Sequence, residues 1–323
     1  MKYVLLALVL CVYVAAYEVK IQAFDDRGDA VVGAKISVFF VKQGKSDEIT
    51  GITGLDGTYI ANGRSTLGVD IIAGCSGHYS SRVDNLKNGM SHDVKLILPR
   101  ILNPIPLFAK DGFWTRIPSA GTWYGFDFDA ADWVVPHGKG KTADVLFRYT
   151  SNFRGWNDDV VDPLQREKMM AETKARDARV KEEWSFEKFK GENGKWEGVL
   201  QVAFPGKEEG AVEQKFIEYS QMKMTHLAPV GGYLSALEFS TNTYSYPKFR
   251  HDVGFFLRTR VQLDKAANII SANYCKIHED IVFNPSNGEM HFTYYYNPVP
   301  NDRNLEFNPK DNLFREDKRG SAR

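Results

Sequence analysis

The sequence predicts a mainly β protein made of two antiparallel β-sandwich domains, with one charged helix inserted in the second domain. Short segments in which apolar and polar residues alternate with period two recur along the chain, as at Val19, Ile21 and Ala23. Turn sequences such as Asp56-Gly57 separate these segments. Only one stretch of the chain carries the signals of a long helix, so strands dominate the prediction.

The composition is that of a globular chain and excludes nucleic acid as a partner. Of the 323 residues, 43% are hydrophobic and 25% are charged, and 41 basic residues balance 41 acidic ones. Binding to DNA or RNA phosphates needs an excess of positive charge, which this chain lacks. A length of about 150 residues per domain gives two domains. The chain has no phosphate-binding or dinucleotide-binding glycine motif, so no cofactor is expected.

Residues 1–16 have the parts of a secretory signal peptide. Lys2 precedes an apolar run, and Ala15-Ala16 supplies small residues before a cut after Ala16. The run is shorter than the roughly 20 residues that span a bilayer. We therefore expect a secreted or periplasmic protein that is soluble once the signal is removed. An uncleaved anchor, or a lipoprotein attached at Cys11, remains as an alternative.

Residues 17–99 form the first predicted domain, a sandwich of short strands. Four motifs follow one another in this stretch: Gly28, Val32-Gly33-Ala34, Thr53-Gly-Leu-Asp-Gly-Thr-Tyr59 and Ile71-Ile-Ala-Gly-Cys-Ser-Gly-His-Tyr79. Their order and spacing resemble those of the carboxypeptidase regulatory-like (transthyretin-like) domain. Gly54 replaces the first Asp of that family's Thr-Asp-x-Asp-Gly-x-Tyr run. The resemblance implies a seven-stranded sandwich without catalytic residues that serves as an accessory or surface domain.

Residues 100–314 form the second, β-rich domain, and a charged tail follows at 315–323. Long strand patterns over 253–263, 269–277 and 290–296 predict a meander. A second sandwich, for which a jelly-roll-like arrangement is one form, would bury both faces of that meander. Asp162 as an N-cap and Pro163 in the first turn predict a helix over 163–181.

Three blocks stand out in this second region: Asn103–Lys110, Asp132–Lys141 and Asn297–Phe307. They resemble blocks of an uncharacterised family of secreted bacterial proteins. The resemblance implies a bacterial envelope protein and indicates no particular chemistry.

Three carboxylates, Asp127, Asp129 and Asp132, are the one candidate for catalysis or metal binding. Asp127 and Asp129 share a strand face, and the opposite face holds Tyr124, Phe126 and Phe128. Glycosidases use two carboxyl groups about 5–10 Å apart. The spacing Asp-x-Asp-x-x-Asp is also rich in oxygen, as calcium loops are. The favoured interpretation is a solvated strand face without a catalytic residue or a metal.

Four aromatic residues within twenty positions are the candidate ligand-binding residues: Trp114, Trp123, Tyr124 and Trp133. Exposed aromatic rings on a β-sandwich stack on the apolar faces of sugars. Packing in the core is the favoured alternative for such residues.

Two cysteines remain after removal of the signal, Cys75 and Cys275. They allow one disulfide that ties the two domains together. The favoured alternative is two separate buried thiols, which pack as small apolar side chains.

These observations favour a secreted or periplasmic, non-catalytic binding or envelope-accessory protein. Its partner would be a glycan or an envelope protein surface. One alternative is a carbohydrate-active hydrolase that uses Asp127, Asp129 and Asp132. Another is a structural assembly protein that offers an edge strand, such as Met290–Tyr296, to a neighbouring subunit.

Overall fold

The computed structural model describes residues 15–86, 91–156, 171, 194–244 and 249–314. Within these ranges the protein is built from strands, which confirms the mainly β, sandwich-like prediction. The predicted helix over 163–181, apart from Ala171, lies outside the described residues, as do most of the predicted signal peptide and the tail. No helix in the described part is long and apolar enough to span a membrane.

The chain divides into two compact units. Unit 1 contains Met1–Asn103 and Phe216–Thr225, and unit 2 contains Pro104–Lys215 and His226–Arg323. The sequence places a boundary between residues 99 and 100 and gives unit 1 one continuous stretch. In the structure, a second segment also belongs to unit 1.

Unit 1 has two sheets, ordered β4-β1-β7 and β3-β2-β5-β6. Neighbouring strands are antiparallel except β1 and β7, which are parallel. The predicted cut after Ala16 falls inside the first strand. The strands are β1 (Ala15–Phe24), β2 (Lys35–Lys42), β3 (Lys45–Ile52), β4 (Thr58–Ser65), β5 (Gly68–Gly74), β6 (Ser81–Leu86) and β7 (Ser91–Ile97).

One core lies between the two sheets of unit 1. The inward residues of β1, among them Val19 and Ile21, pack with those of β2 and β5 from the other sheet. Gly63 lies against the ring of Phe40, where a Cβ atom would come within 2.4 Å of ring carbons. The alternation seen in the sequence therefore produces a sandwich with one buried face per sheet.

The segment Phe216–Thr225 extends the second sheet of unit 1 at the edge of β6. The backbone N–H of Arg82 donates to the carbonyl of Tyr219 at 2.8 Å, and the N–H of Gln221 donates to the carbonyl of Ser80 at 2.9 Å. The segment therefore covers a strand edge that would otherwise present unpaired backbone groups. Period-two patterning does not indicate which strand such a segment will join.

Unit 2 also has two sheets. One is ordered β14-β16-β17-β18-β8, and the other β10-β9-β11-β13-β12, with β15 also paired to β13. The strands are β8 (Phe108–Arg116), β9 (Tyr124–Asp127), β10 (Asp132–Trp133), β11 (Val145–Tyr149), β12 (Asn152–Trp156), β13 (Gly194–Ala203), β14 (Gly210–Lys215), β15 (Ala236–Asn242), β16 (Val253–Leu263), β17 (Ile269–Phe283) and β18 (Glu289–Asn297).

The predicted meander is present as β16, β17 and β18, which pair antiparallel in that order. An aromatic core lies between the two sheets, and Tyr124, Phe126 and Phe128 are buried in it together with Tyr294. The assembly alternative predicted that Met290–Tyr296 is an edge strand. This is wrong, because β18, which contains these residues, pairs with β17 on one side and β8 on the other. Its backbone groups are therefore not available to a neighbouring subunit.

The disulfide between Cys75 and Cys275 is not formed, and both cysteines are free. Cys75 packs against the core of unit 1, whereas Cys275 is fully buried in the core of unit 2. Burial raises the pKa of the Cys275 thiol well above its ordinary value, because the thiolate would lose its hydration.

The two thiols should therefore differ in reactivity. Native protein treated with iodoacetamide is expected to be alkylated at Cys75, whereas Cys275 reacts only after denaturation, because attack requires an accessible thiolate. Peptide mass spectrometry reads both sites in one sample, and Cys275 in denatured protein is the internal control. Failure of both residues to react in denatured protein that has not been reduced would indicate a disulfide and contradict the structure.

Candidate functional site

Arg260 brings together two of the three predicted carboxylates and adds a third that the sequence did not single out. Its Nη2 donates to Asp127 at 2.9 Å, and its Nη1 donates to Asp129 at 3.0 Å. Its Nε and Nη2 also donate to the two oxygens of Asp144, at 2.7 and 2.9 Å. We call these four residues the Arg260 cluster. The cluster joins the two sheets of unit 2, since Arg260 belongs to β16 and Asp127 to β9.

The backbone of β16 is unusual at this point. Arg260 has a φ of 51°, in the left-handed region that residues other than glycine rarely occupy. The register between β16 and β17 shifts between Thr259 and Gln262, which marks a β-bulge. Bulges redirect side chains, and this one allows Thr259 and the neighbouring Arg260 both to contact Asp144.

The carboxylates of the Arg260 cluster also accept hydrogen bonds from backbone groups. Asp127 Oδ2 accepts from the N–H groups of Lys141 at 2.7 Å and Thr142 at 3.1 Å. Asp144 Oδ2 accepts from the N–H of Phe128 at 2.9 Å. The predicted solvated strand face is wrong for Asp127, which is buried because it accepts these hydrogen bonds and pairs with Arg260. Asp127 and Asp129 are therefore engaged in holding the strands and loops of unit 2.

Three carboxylates around one guanidinium leave an excess of negative charge, and this affects their protonation. Burial raises the pKa of Asp144 to about 6, although its hydrogen bonds from Arg260 act in the opposite direction. Burial and the neighbouring Asp127 raise the pKa of Asp129. Burial opposes ionisation of Asp127 too, but hydrogen bonds led by that from Lys141 lower its pKa overall.

Asp132 has a different environment from the other two predicted carboxylates. Its oxygens accept hydrogen bonds from the backbone N–H groups of Trp133 at 2.8 Å and Lys139 at 2.9 Å. The calcium candidate Asp127, Asp129 and Asp132 therefore does not form one oxygen cluster. In the part of the chain that the structure describes, no group of three or more His, Cys, Asp or Glu could hold a metal ion.

The four candidate aromatic residues divide between the core and the surface. Tyr124 and Trp133 are buried in the core of unit 2, so they are not available for stacking on a ligand. Trp114 is 65% exposed and Trp123 is 39% exposed. Only these last two present an indole ring to solvent.

Trp114 lies on β8 beside His291 of β18, with ring centroids 4.7 Å apart and an interplanar angle of 30°. The neighbouring pair along these strands is the ion pair of Arg116 and Glu289, at 2.6 Å. This surface offers an indole beside an imidazole, next to an ion pair whose two charges already engage each other.

Trp123 begins a row of side chains that crosses the other sheet of unit 2. The guanidinium of Arg148 lies 4.7 Å from the centroid of a Trp123 ring. Arg148 Nε and Nη2 donate to Gln201 Oε1 at 2.9 and 2.6 Å, and Gln201 Nε2 donates to Glu238 Oε1 at 2.6 Å. We call Trp123, Arg148, Gln201 and Glu238 the binding row.

Strand register aligns the binding row. Arg148 on β11 is the Cα partner of Gln201 on β13, which is the partner of Glu238 on β15. Phe147 and Leu200, which precede Arg148 and Gln201, are buried in the core, so the row lies on the opposite, outward face. At about 4.8 Å between neighbouring strands, a row across four strands extends about 14 Å, comparable to a short oligosaccharide.

The row combines a partly exposed apolar ring with hydrogen-bonding side chains. An exposed indole provides an apolar surface for the C–H face of a sugar ring. Guanidinium, amide and carboxylate groups in line provide planar donors and acceptors for neighbouring hydroxyl groups. Of these four residues, only Trp123 was predicted from the sequence. Alternation could have shown that Arg148 and Gln201 point outward, but it carries no information on which strands are neighbours.

Comparisons with known proteins do not assign the chain to a family. No family model matches it, and no curated protein matches it. Similar solved structures include a catechol 1,2-dioxygenase from Pseudomonas arvilla C-1, 13% identical over 27% of this chain and 53% of that one, with a TM-score of 0.22. The match spans about half the length of that dioxygenase.

Two further structures match over more of the chain. A DUF3823 family protein from Parabacteroides merdae is 8% identical over 76% of this chain and 90% of that one, with a TM-score of 0.19. A Bacteroides uniformis protein, provisionally described as carbohydrate binding, is 10% identical over 88% and 98%, with a TM-score of 0.20. Likeness at this level carries no argument about function.

Loss of the Arg260 guanidinium should destabilise unit 2. Arg260→Leu leaves Asp127 and Asp144 buried without their cationic partner, a change that typically costs about 3–5 kcal/mol. Urea unfolding followed by tryptophan fluorescence measures the effect. Arg154→Leu is the control, because it removes an exposed ion pair with Glu197 and should leave the midpoint unchanged. Equal urea midpoints for the two variants would show that the Arg260 cluster does not stabilise unit 2.

The raised pKa of Asp144 gives the stability a defined pH dependence. Its pKa is about 6 in the folded state and near 4 when unfolded, so the folded state binds the proton more tightly. The resulting stabilisation is fully present below about pH 4 and is lost as the pH rises through about 6. The free energy of unfolding, measured from pH 4 to 7, should fall more steeply for the native chain than for Asp144→Asn. An equal fall in the free energy of unfolding for both proteins would contradict the raised pKa of Asp144.

Proposed function

We propose that this protein is a non-catalytic binding protein whose ligand is a glycan, bound along the row Trp123, Arg148, Gln201 and Glu238. The observation that carries the proposal is the alignment of an exposed indole with three hydrogen-bonding side chains on one sheet face. Trp114 offers a more exposed ring, but the described residues around it form no comparable row. Engagement of Asp127 and Asp129 by Arg260 supports binding rather than hydrolysis.

The predicted signal peptide supports a secreted or periplasmic location, where glycans of envelopes and surfaces are accessible. The resemblance of residues 17–99 to the carboxypeptidase regulatory-like domain supports an accessory role for unit 1. The location and the accessory role of unit 1 are both parts of the proposal.

Affinity electrophoresis against plant, algal, mucin and bacterial-envelope polysaccharides tests this function. At least one glycan should retard the chain, and Trp123→Ala should weaken that binding about tenfold or more, because an aromatic stacking surface is lost. Gln201→Ala should also weaken binding. Trp114→Ala is the matched control, since it removes an exposed indole from the other sheet and should leave retardation unchanged.

Two outcomes would overturn the proposal. Lack of retardation by any glycan would exclude the glycan ligand. Retardation that is lost in Trp114→Ala and kept in Trp123→Ala would place the site on the other sheet and reject the binding row.

A further inference from the structure

A cleft of about 280 Å³ lies in unit 2 between β15 and the last residues of β17. Three aromatic side chains line it, Phe239, Phe249 and Phe283, and its charged lining residues are Glu238, Arg250 and Asp280. This combination of apolar rings with a few placed polar groups is typical of small-molecule sites.

The cleft is continuous with the binding row. Glu238 is the last residue of the row and also lines the cleft. Ser240, two residues further along the same face of β15, lines the cleft as well. A glycan that lies along the row with one end at Glu238 therefore brings its terminal sugar to the cleft.

The guanidinium of Arg250 is committed to carboxylates. Its Nη2 and Nε donate to the two oxygens of Asp280 at 2.8 and 3.1 Å, and its Nη1 donates to Glu213 at 2.7 Å. These bonds raise the pKa of Arg250, so it stays charged. An acidic ligand would have to displace one of these carboxylates to reach the guanidinium.

Among the residues that the structure describes, the charges that line the cleft leave it negative. Two carboxylates, Glu238 and Asp280, line it together with one guanidinium, and the second partner of that guanidinium, Glu213, is a further carboxylate. Glu238 is exposed at the end of the row. Aromatic ring faces also favour cations. The lining therefore favours a positive group and disfavours a carboxylate or sulfate.

We propose that the cleft is the end subsite for a glycan on the binding row, and that it selects a sugar with a free, protonated amine over a sugar with a carboxylate. This proposal rests on the proposed function, because it assumes that a glycan lies along the row. Glu238 provides the charge that attracts the amine, and the aromatic side chains pack against the sugar ring.

Isothermal titration of the full chain with short glucosamine oligomers, with N-acetylglucosamine oligomers and with oligogalacturonates of equal length tests the proposal. We expect the glucosamine oligomers to bind most tightly, the N-acetylglucosamine oligomers less tightly and the oligogalacturonates most weakly. Glu238→Gln should reduce the preference for the free amine over the N-acetylated sugar by about fivefold, the effect of one nearby charge in water. Glu48→Gln on the exposed edge strand β3 makes the same charge change in unit 1 and should leave the preference unchanged.

The outcomes separate this proposal from the proposed function. Binding that needs Trp123 but shows no preference for the amine, or a preference unchanged in Glu238→Gln, overturns the end subsite and leaves the binding row in place. Phe249→Ala should weaken binding of the glucosamine oligomer, and unchanged affinity would also reject the cleft. Lack of binding by all three probes, together with no retardation by any polysaccharide, overturns both proposals.

Discussion

The buried contact between Arg260 and the carboxylates of Asp127 and Asp144 is the constraint on which unit 2 depends. A guanidinium on one sheet is held by acceptors from the other, so the two sheets are tied at one point. Charges taken out of water require this degree of pairing, because a lone buried ion is costly. The bulge in β16 and the left-handed backbone at Arg260 cost conformational energy. The four hydrogen bonds that Arg260 donates to carboxylates offset this cost.

This constraint bears on the surface as well as on the core. Asp127 ends β9, and Asp144 directly precedes β11, so Arg260 fixes two of the strands that carry the binding row. β13 pairs with β11, and β15 pairs with β13. This pairing places Gln201 and Glu238 in line with Arg148. Side chains on the two faces of one sheet thus have separate roles. Inward residues hold the sandwich together, and outward residues form a polar row with an indole at its end.

Much of the fold follows from local patterns in the sequence. Period-two alternation predicted β16 and the buried face of Tyr124, Phe126 and Phe128, because each strand has one face toward the core. The same logic placed Asp127 and Asp129 on a solvated face, and this prediction is wrong for Asp127, which is buried. Both carboxylates contact Arg260, which belongs to the other sheet. Asp132 comes after the turn that leads from β9 into β10, where alternation no longer applies, and its carboxylate caps backbone groups instead.

The candidate site was only partly predictable because it depends on strand order. Residues 123, 148, 201 and 238 are far apart in the chain, and backbone register alone brings them together. Arg260 is likewise more than one hundred residues from its partners. The cluster of tryptophans in the sequence was a misleading signal, since Trp133 is a core residue, Trp114 lies on β8, and Trp123 directly precedes β9 of the other sheet.

The most direct test of the account is an NMR titration that observes the indole N–H groups and side-chain amides of the ¹⁵N-labelled chain as glucosamine oligomer is added. If a glycan lies along the binding row, the Trp123 indole and the Gln201 amide shift saturably with one common affinity, while the Trp114 indole stays unchanged. Shifts of Trp114 without shifts of Trp123 and Gln201 would contradict it, and would show that the ligand binds the opposite sheet.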